Sequence, residues 1–225
     1  MTYVMSDLHG MCGKYFEMLD KIGAGDGDKI YILGDVIDRG RGSDAILLSM
    51  MDDWRIVPIL GNHEFLALPV LKALCDGKPF GEIEKTKAYR AWVSSGGGPT
   101  SEAFRSRGRD VQRKMVDYIG SFRIYEEIET AGGKFHLSHT LPEFDPSRGV
   151  HDVTLREFIL GEPDYDIRYD PDMTFVTGHT PTEWIDPSGK GRVRRGSGHI
   201  AVDCGAAFGG KLGCICLETT EEFYV

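Results

Sequence analysis

No stretch of the sequence approaches the ~20 consecutive apolar residues that a membrane-spanning helix requires. The chain runs from Met1 directly into a strand-like TYVMSD, without the basic start and apolar middle of a secretory signal. A cytoplasmic protein with no membrane partner is therefore expected. Basic charge is also scarce: 26 Lys and Arg against 35 Asp and Glu leave a formal charge of −9, which argues against nonspecific binding to nucleic acid or anionic lipid. The short basic runs RSRGRD (105–110) and RVRR (192–195) read as solvated loop faces. Cysteine is sparse and poorly spaced for metal. Cys12, Cys75, Cys204, Cys214 and Cys216 are five in number, an odd count with no C-x-x-C pair, so they read as reduced thiols and not as disulfides or a thiolate zinc site. Internal repeats, low-complexity tracts and long linkers are absent as well.

What is present is an ordinary globular composition, 41% hydrophobic over 225 residues, enough for one sizeable core. Seven short apolar runs have strand length and β-branched or aromatic character: TYVMSD (2–7), KIYILGD (29–35), RIVPILGNHE (55–64), KFHLSH (134–139), MTFVTGH (173–179), HIAVDCG (199–205) and GCICLE (213–218). Between the first two, Tyr15, Met18, Leu19 and Ile22 repeat at helical spacing, and SDAILLSMMDD follows the second. The chain thus opens β-α-β-α-β, which predicts parallel strands covered by helices. From about residue 65 to 125 the runs become helix-like, broken by GGGP at 96–99. This reads as a helical insertion in one domain spanning 1–225.

Five of the apolar runs end in chemistry. Asp7 and His9 follow the first, Asp35, Asp38 and Arg39 the second, Asn62 and His63 the third, His139 the fourth and His179 the fifth. Ligands in open α/β sheets bind beyond the carboxyl ends of the strands, so separate strands can bring these groups to one place. Asp7, His9, Asp35, Asn62, His139 and His179 mix imidazole with oxygen donors and contain no thiolate, a set suited to Mn, Fe or Zn over Ca. Six ligands exceed what one catalytic ion takes while keeping open positions; two ions sharing a bridging carboxylate account for the count. His136, His151 and His199 lack this setting and read as ordinary histidines.

SDLHG, GDVIDRG and GNHE, followed by single later histidines, resemble the phosphoprotein phosphatase family of dinuclear metallophosphoesterases, over residues 6–179. That family includes serine/threonine phosphatases, bacterial and bacteriophage-type protein phosphatases and symmetrical diadenosine tetraphosphate hydrolases. The closing VDCGAAFGGKLGCICLE is similar to the final strands of bacterial members. The resemblance implies an α/β, calcineurin-like sandwich of two mixed β-sheets flanked by helices, with a helical cap.

It further implies one metal on Asp7, His9 and Asp35 and a second on Asp35, Asn62, His139 and His179, with Asp35 bridging. The two divalent ions would be Mn foremost, or Fe, Zn or Mg. His63 would be the general acid, with Asp38 orienting it. Arg39 would grip phosphate oxygens, with Asn62 and Arg156 of VTLREF as further phosphate-binding candidates. The sequence departs from the family pattern at Ser6, where Gly is usual, and at Thr140 and Leu141, where a small pair is usual. YRAWVSSGGGPTSEAF resembles the cap segment, and Trp92 reads either as a wall of the substrate cleft or as a helix anchor in the core.

The function implied is hydrolysis of phosphoserine or phosphothreonine on proteins, extending to phosphotyrosine, by hydroxide held between the metals. The alternative substrate is a dinucleoside polyphosphate. A catalytically weak, metal-dependent binding or scaffold protein is a third reading, disfavoured because every ligand position and the His63/Asp38 pair are filled.

Overall fold

The computed structural model describes residues 1–149 and 152–225, so His151 lies outside the described residues. Among them, the strands are β1 (Thr2–Met5), β2 (Lys29–Leu33), β3 (Ile56–Ile59), β4 (Tyr125–Thr130), β5 (Gly133–Ser138), β6 (Thr174–Thr177), β7 (Arg194–Arg195), β8 (His199–Ala201), β9 (Gly213–Cys216) and β10 (Glu222–Tyr224). They form two five-stranded sheets, ordered β10-β9-β1-β2-β3 and β4-β5-β6-β8-β7. β2 pairs in parallel with β1 and β3, and β6 in parallel with β5 and β8, while the remaining pairings are antiparallel. Both sheets are therefore mixed, as the resemblance implied.

Each of the seven apolar runs contains a strand. The three strands that the runs did not announce, β4, β7 and β10, all lie at sheet edges. An edge strand has one flank in solvent and needs no continuous apolar run, and YEEIET and RR have none.

The period-2 alternation of strands sorts the first sheet's side chains into two cores. Tyr3 and Met5, Ile30 and Ile32, and Cys214 and Cys216 face one cluster. Val4, Tyr31, Leu33 and Ile215 face the other, where they meet Phe135, Leu137 and Val176 of the second sheet. The first cluster is closed by α1 (Cys12–Ile22), α2 (Ser43–Asp52) and α3 (Asn62–Cys75). The chain continues through α4 (Phe80–Ile83), α5 (Lys87–Trp92), α6 (Gly98–Ser106) and α7 (Arg109–Ile119). These helices share that core through Leu71, Ile83, Trp92, Phe104 and Met115. On the outer face of the second sheet, Phe175 packs with Leu141 and with Phe158 of α8 (Leu155–Leu160); α9 (Thr182–Ile185) follows β6.

No described helix is long and apolar enough to cross a membrane. All five cysteines are free thiols. The basic runs, expected as solvated faces, are largely exposed and also pair within the chain: Arg107 with Asp44, Arg194 with Asp166, and Arg192 and Arg195 with Glu222.

Candidate active site

Because β1, β2 and β3 are parallel, the segments after them emerge on one side, where Asp7 and His9, Asp35, Asp38 and Arg39, and Asn62 and His63 all lie. His139 after β5 and His179 after β6 arrive from the second sheet. Sharp turns are needed to aim these side chains inward. Of the eight non-glycine residues with positive φ among the described residues, six are Asp7, His9, Asp35, Asp38, Arg39 and His179. Left-handed backbone at such residues costs about 1–3 kcal/mol each and persists only where surrounding bonds impose it. Here His9 N–H donates to the Asp35 carbonyl (2.8 Å), Arg39 N–H to the Gly96 carbonyl (2.9 Å) and Gly40 N–H to the His9 carbonyl (2.9 Å). Gly34 is required for space: a Cβ there would lie 2.7 Å from His139 Nδ1 and 2.6 Å from Gly61 Cα.

Among the described residues two groups of side chains could each hold a cation, His9 with Asp35 and His63, and Asp35 with His139 and His179; Asp35 is common to both. Asp7 lies beside the first, its Oδ1 3.9 Å from His9 Nε2. The protonation pattern is informative. His9 Nδ1 contacts the Ile37 carbonyl (3.1 Å) and His139 Nδ1 the Leu33 carbonyl (2.7 Å), so both imidazoles donate there and turn the Nε2 lone pair inward. His139 Nε2 then meets Asn62 Oδ1 at 3.0 Å, His179 Nδ1 at 3.1 Å and Asp35 Oδ1 at 3.5 Å. Burial, with His139 and His63 adding to it against the pull of Asp7, lowers His179 to about 4, so its ring is neutral. Asp35 is pushed well above the usual carboxylate range by burial, His63 opposing and Asp7 and Glu64 reinforcing. Converging electron pairs around a destabilised buried carboxylate are what a cation relieves, and the donor set fits two divalent ions.

Beside these groups, His63 Nδ1 donates to Asp38 Oδ2 at 2.8 Å, and Trp92 Nε1 donates to the same oxygen at 2.8 Å. Asp38 N–H is held by Thr100 Oγ1 (2.9 Å) and Ser43 Oγ (3.1 Å). Burial pulls His63 downward, but Asp35 and Asp38 outweigh it and raise the imidazole above its ordinary value. Arg39 Nη2 reaches His63 Nε2 at 3.3 Å, and the guanidinium lies 4.7 Å from the Phe208 ring centroid. Trp92 is 0% exposed, so of its two readings the core anchor is the one observed, with a hydrogen bond the sequence did not announce. Its ring also excludes a side chain at Gly97, where a Cβ would sit 2.5 Å from the indole.

Other residues escaped the sequence reading. Glu64, at the third position of α3, accepts the N–H groups of Asp35 (2.9 Å), Val36 (2.9 Å), Ile37 (3.2 Å) and Gly61 (3.1 Å). It ties the β2 loop to the start of α3, and its place in GNHE was the available signal. Asp203 is buried after β8 and raised well above its ordinary range by burial and by Asp7. It follows an apolar run as the other site carboxylates do.

Arg156 is not brought to the cluster. It is exposed on α8 and takes no part in the contacts above. The departures from the family pattern are accommodated locally. Ser6 Oγ donates to Asp7 Oδ2 (2.5 Å), Thr140 Oγ1 to the Gly161 carbonyl (3.0 Å), and Leu141 fills the core under α8.

Residues 2–204 match the calcineurin-like phosphoesterase family. The chain belongs to that family. A solved structure provisionally assigned as a diadenosine tetraphosphatase superposes over 100% of this chain and 92% of its own, with a TM-score of 0.65 and 16% identity. A Saccharomyces cerevisiae protein serine/threonine phosphatase covers 95% of this chain and 71% of its own, with a TM-score of 0.57 and 14% identity. At such identities the likeness is one of fold. In sequence, 85 residues are 35% identical to the symmetrical bis(5'-nucleosyl)-tetraphosphatase of Haemophilus ducreyi, covering 37% of this chain and 32% of that protein. The chain thus spans about a third of the length of the curated phosphoesterase relatives it matches.

Proposed function

We propose that this phosphoesterase hydrolyses its substrate by attack of water at phosphorus, with His63 as the acid that protonates the departing oxygen. The observation that carries this reading is the His63–Asp38 pair set against the Asp35-centred cation groups, with Arg39 alongside. Asp7, His9 and Asp35, and Asp35, Asn62, His139 and His179, would hold two divalent cations, whose charge would make the attacking water more acidic and offset that of the phosphoryl oxygens. Mn suits the mixed donor set, with Fe, Zn and Mg as alternatives.

The protein's own part is positional. Asp38 accepts from His63 Nδ1, which turns Nε2 toward the departing oxygen and supports the imidazolium that donates. Arg39 Nη2 covers Nε2 at 3.3 Å. A phosphate takes over the guanidinium donors, uncovering the acid as substrate seats. Asn62 would contact the same phosphate, whereas Arg156 would have to reach it from the surface of α8.

Two substrate classes fit this chemistry. Phosphoserine and phosphothreonine on proteins, with phosphotyrosine beside them, follow from the motifs. The curated relatives favour a dinucleoside polyphosphate. The deciding experiment strips the protein of metal, reloads it with Mn, Fe, Zn or Mg, and assays phosphoserine, phosphothreonine and phosphotyrosine peptides beside diadenosine tetraphosphate. Activity that survives verified metal removal would refute the mechanism. His63→Asn should lower turnover about 10²- to 10⁴-fold, more on a phosphoserine peptide than on p-nitrophenyl phosphate, whose leaving group needs no proton. Equal losses on both would remove His63 from the acid's role.

A further inference from the structure

One feature of the cleft serves none of the roles above. Trp184 on α9 and Phe208 after β8 are 65% and 54% exposed, although both are large apolar rings. Their centroids stand 5.1 Å apart at an interplanar angle of 47°. They line a cleft of about 510 Å³ together with Arg39, His179, Pro163 and Glu162. That volume lies within the range of small-molecule sites.

The two rings extend the reaction centre in one direction. Arg39 links them to it, since its guanidinium reaches His63 Nε2 on one side and lies over Phe208 on the other. A leaving group protonated by His63 departs next to Arg39, and therefore toward this shelf. Phe208 is already engaged by the guanidinium, whereas among the described residues no cation lies over Trp184, which is 65% exposed. A ring bonded directly to the scissile oxygen, as in phosphotyrosine, would lie against Arg39. A ring carried several bonds further out, as a nucleobase is by its ribose and phosphates, reaches Trp184. Glu162, exposed in the same cleft, supplies a carboxylate that can accept N–H groups from a base edge.

We propose that Trp184, extended by Phe208, is a stacking platform for the nucleobase of the leaving half of a nucleoside polyphosphate, and that it determines the substrate class of this site. The proposal rests on the phosphoryl-hydrolysis reading above and names its substrate. Stacking on an exposed indole requires no sequence-specific contact and tolerates any base, because every base has a π-face.

The test uses the Mn-loaded protein, with Trp184→Ala and Trp184→Phe as variants. Trp184 is largely exposed, so neither change removes core packing. With diadenosine tetraphosphate, Trp184→Ala should raise KM about tenfold with little change in kcat. The preference for diadenosine tetraphosphate over ringless inorganic tetraphosphate should fall by the same factor, and Trp184→Phe should restore most of it. A binding arm is independent of turnover: adenosine diphosphate should quench tryptophan fluorescence saturably, and the quench should vanish in Trp184→Phe.

An equal rise in KM for inorganic tetraphosphate would overturn the platform. So would the absence of quenching, or a defect confined to phosphotyrosine peptides. Saturable, Trp184-dependent quenching by a protein that hydrolyses no phosphoester would uphold the platform and refute the hydrolytic reading on which it was built.

Discussion

Trp92 of α5 and His63 of α3 donate to the same oxygen of Asp38, each at 2.8 Å. The indole fixes the carboxylate that fixes the imidazole. Trp92→Phe keeps a buried aromatic ring, though a smaller one, and deletes the N–H. A hydrogen bond to a charged group is worth about 1.5–3 kcal/mol, and the freed oxygen would hold the His63 proton more tightly. Turnover should fall roughly tenfold, and the pH dependence of kcat should move upward. A reduced rate with an unmoved pH profile would assign Trp92 to packing alone.

Asp35 is the only carboxylate common to both cation groups, so its loss should be felt at each. Elemental analysis of Asp35→Asn should find less metal than in His9→Ala or His139→Ala, each of which leaves one group complete. Two bound metals per chain in Asp35→Asn would contradict a bridging role.

Glu64 gathers four backbone N–H groups on two oxygens. In Glu64→Gln one acceptor is replaced by an amide donor that faces N–H groups, leaving buried donors unpaired at a cost of about 3 kcal/mol. Urea unfolding should register that loss. Metal content should drop as well, because Asp35 is carried by the same loop. Unchanged stability would mean that these N–H groups find other partners.

His199, outside the reaction centre, predicts a specific sensitivity to acid. Burial, assisted by Arg194, lowers its imidazole from the ordinary 6.5 to about 3, and Thr177 Oγ1 holds its Nε2 at 2.8 Å. The unfolded chain takes up the proton below pH 6.5 while the folded chain does not, so ν_U exceeds ν_N and stability falls as pH falls from 6.5 toward 3. By pH 5 the contribution lost is about 2 kcal/mol. His199→Gln cannot titrate there, so the difference in unfolding free energy between it and the parent should narrow or reverse between pH 7.5 and 5. A difference constant over that range would show that His199 is not the group responsible.

What the sequence determined by itself follows from local regularities. Apolar runs of strand length specify β1, β2 and β3, helical spacing specifies α1, and the polar residues closing each run mark where a strand's carboxyl end delivers chemistry. Parallel β-α-β connections then oblige Asp7, Asp35 and His63 to appear on one side of the first sheet. The edge strands β4, β7 and β10 were not legible; β4, for one, is buried on too little of its surface to need a hydrophobic pattern.

Tertiary structure decided the rest. Whether Trp92 walls a cleft or anchors a core depends on which atom its N–H meets, and that partner, Asp38, lies 54 residues away in the chain. Glu64 is one letter of a motif until the β2 loop folds over it. Arg156 looked suitable by local similarity to the family pattern alone, and the fold leaves it exposed on α8. Trp184 and Phe208 become neighbours only because the segments after β6 and β8, parallel strands of one sheet, emerge side by side. Contacts between residues remote in sequence leave no periodic trace in the chain, since they depend on the register and direction of whole sheets and not on any local preference.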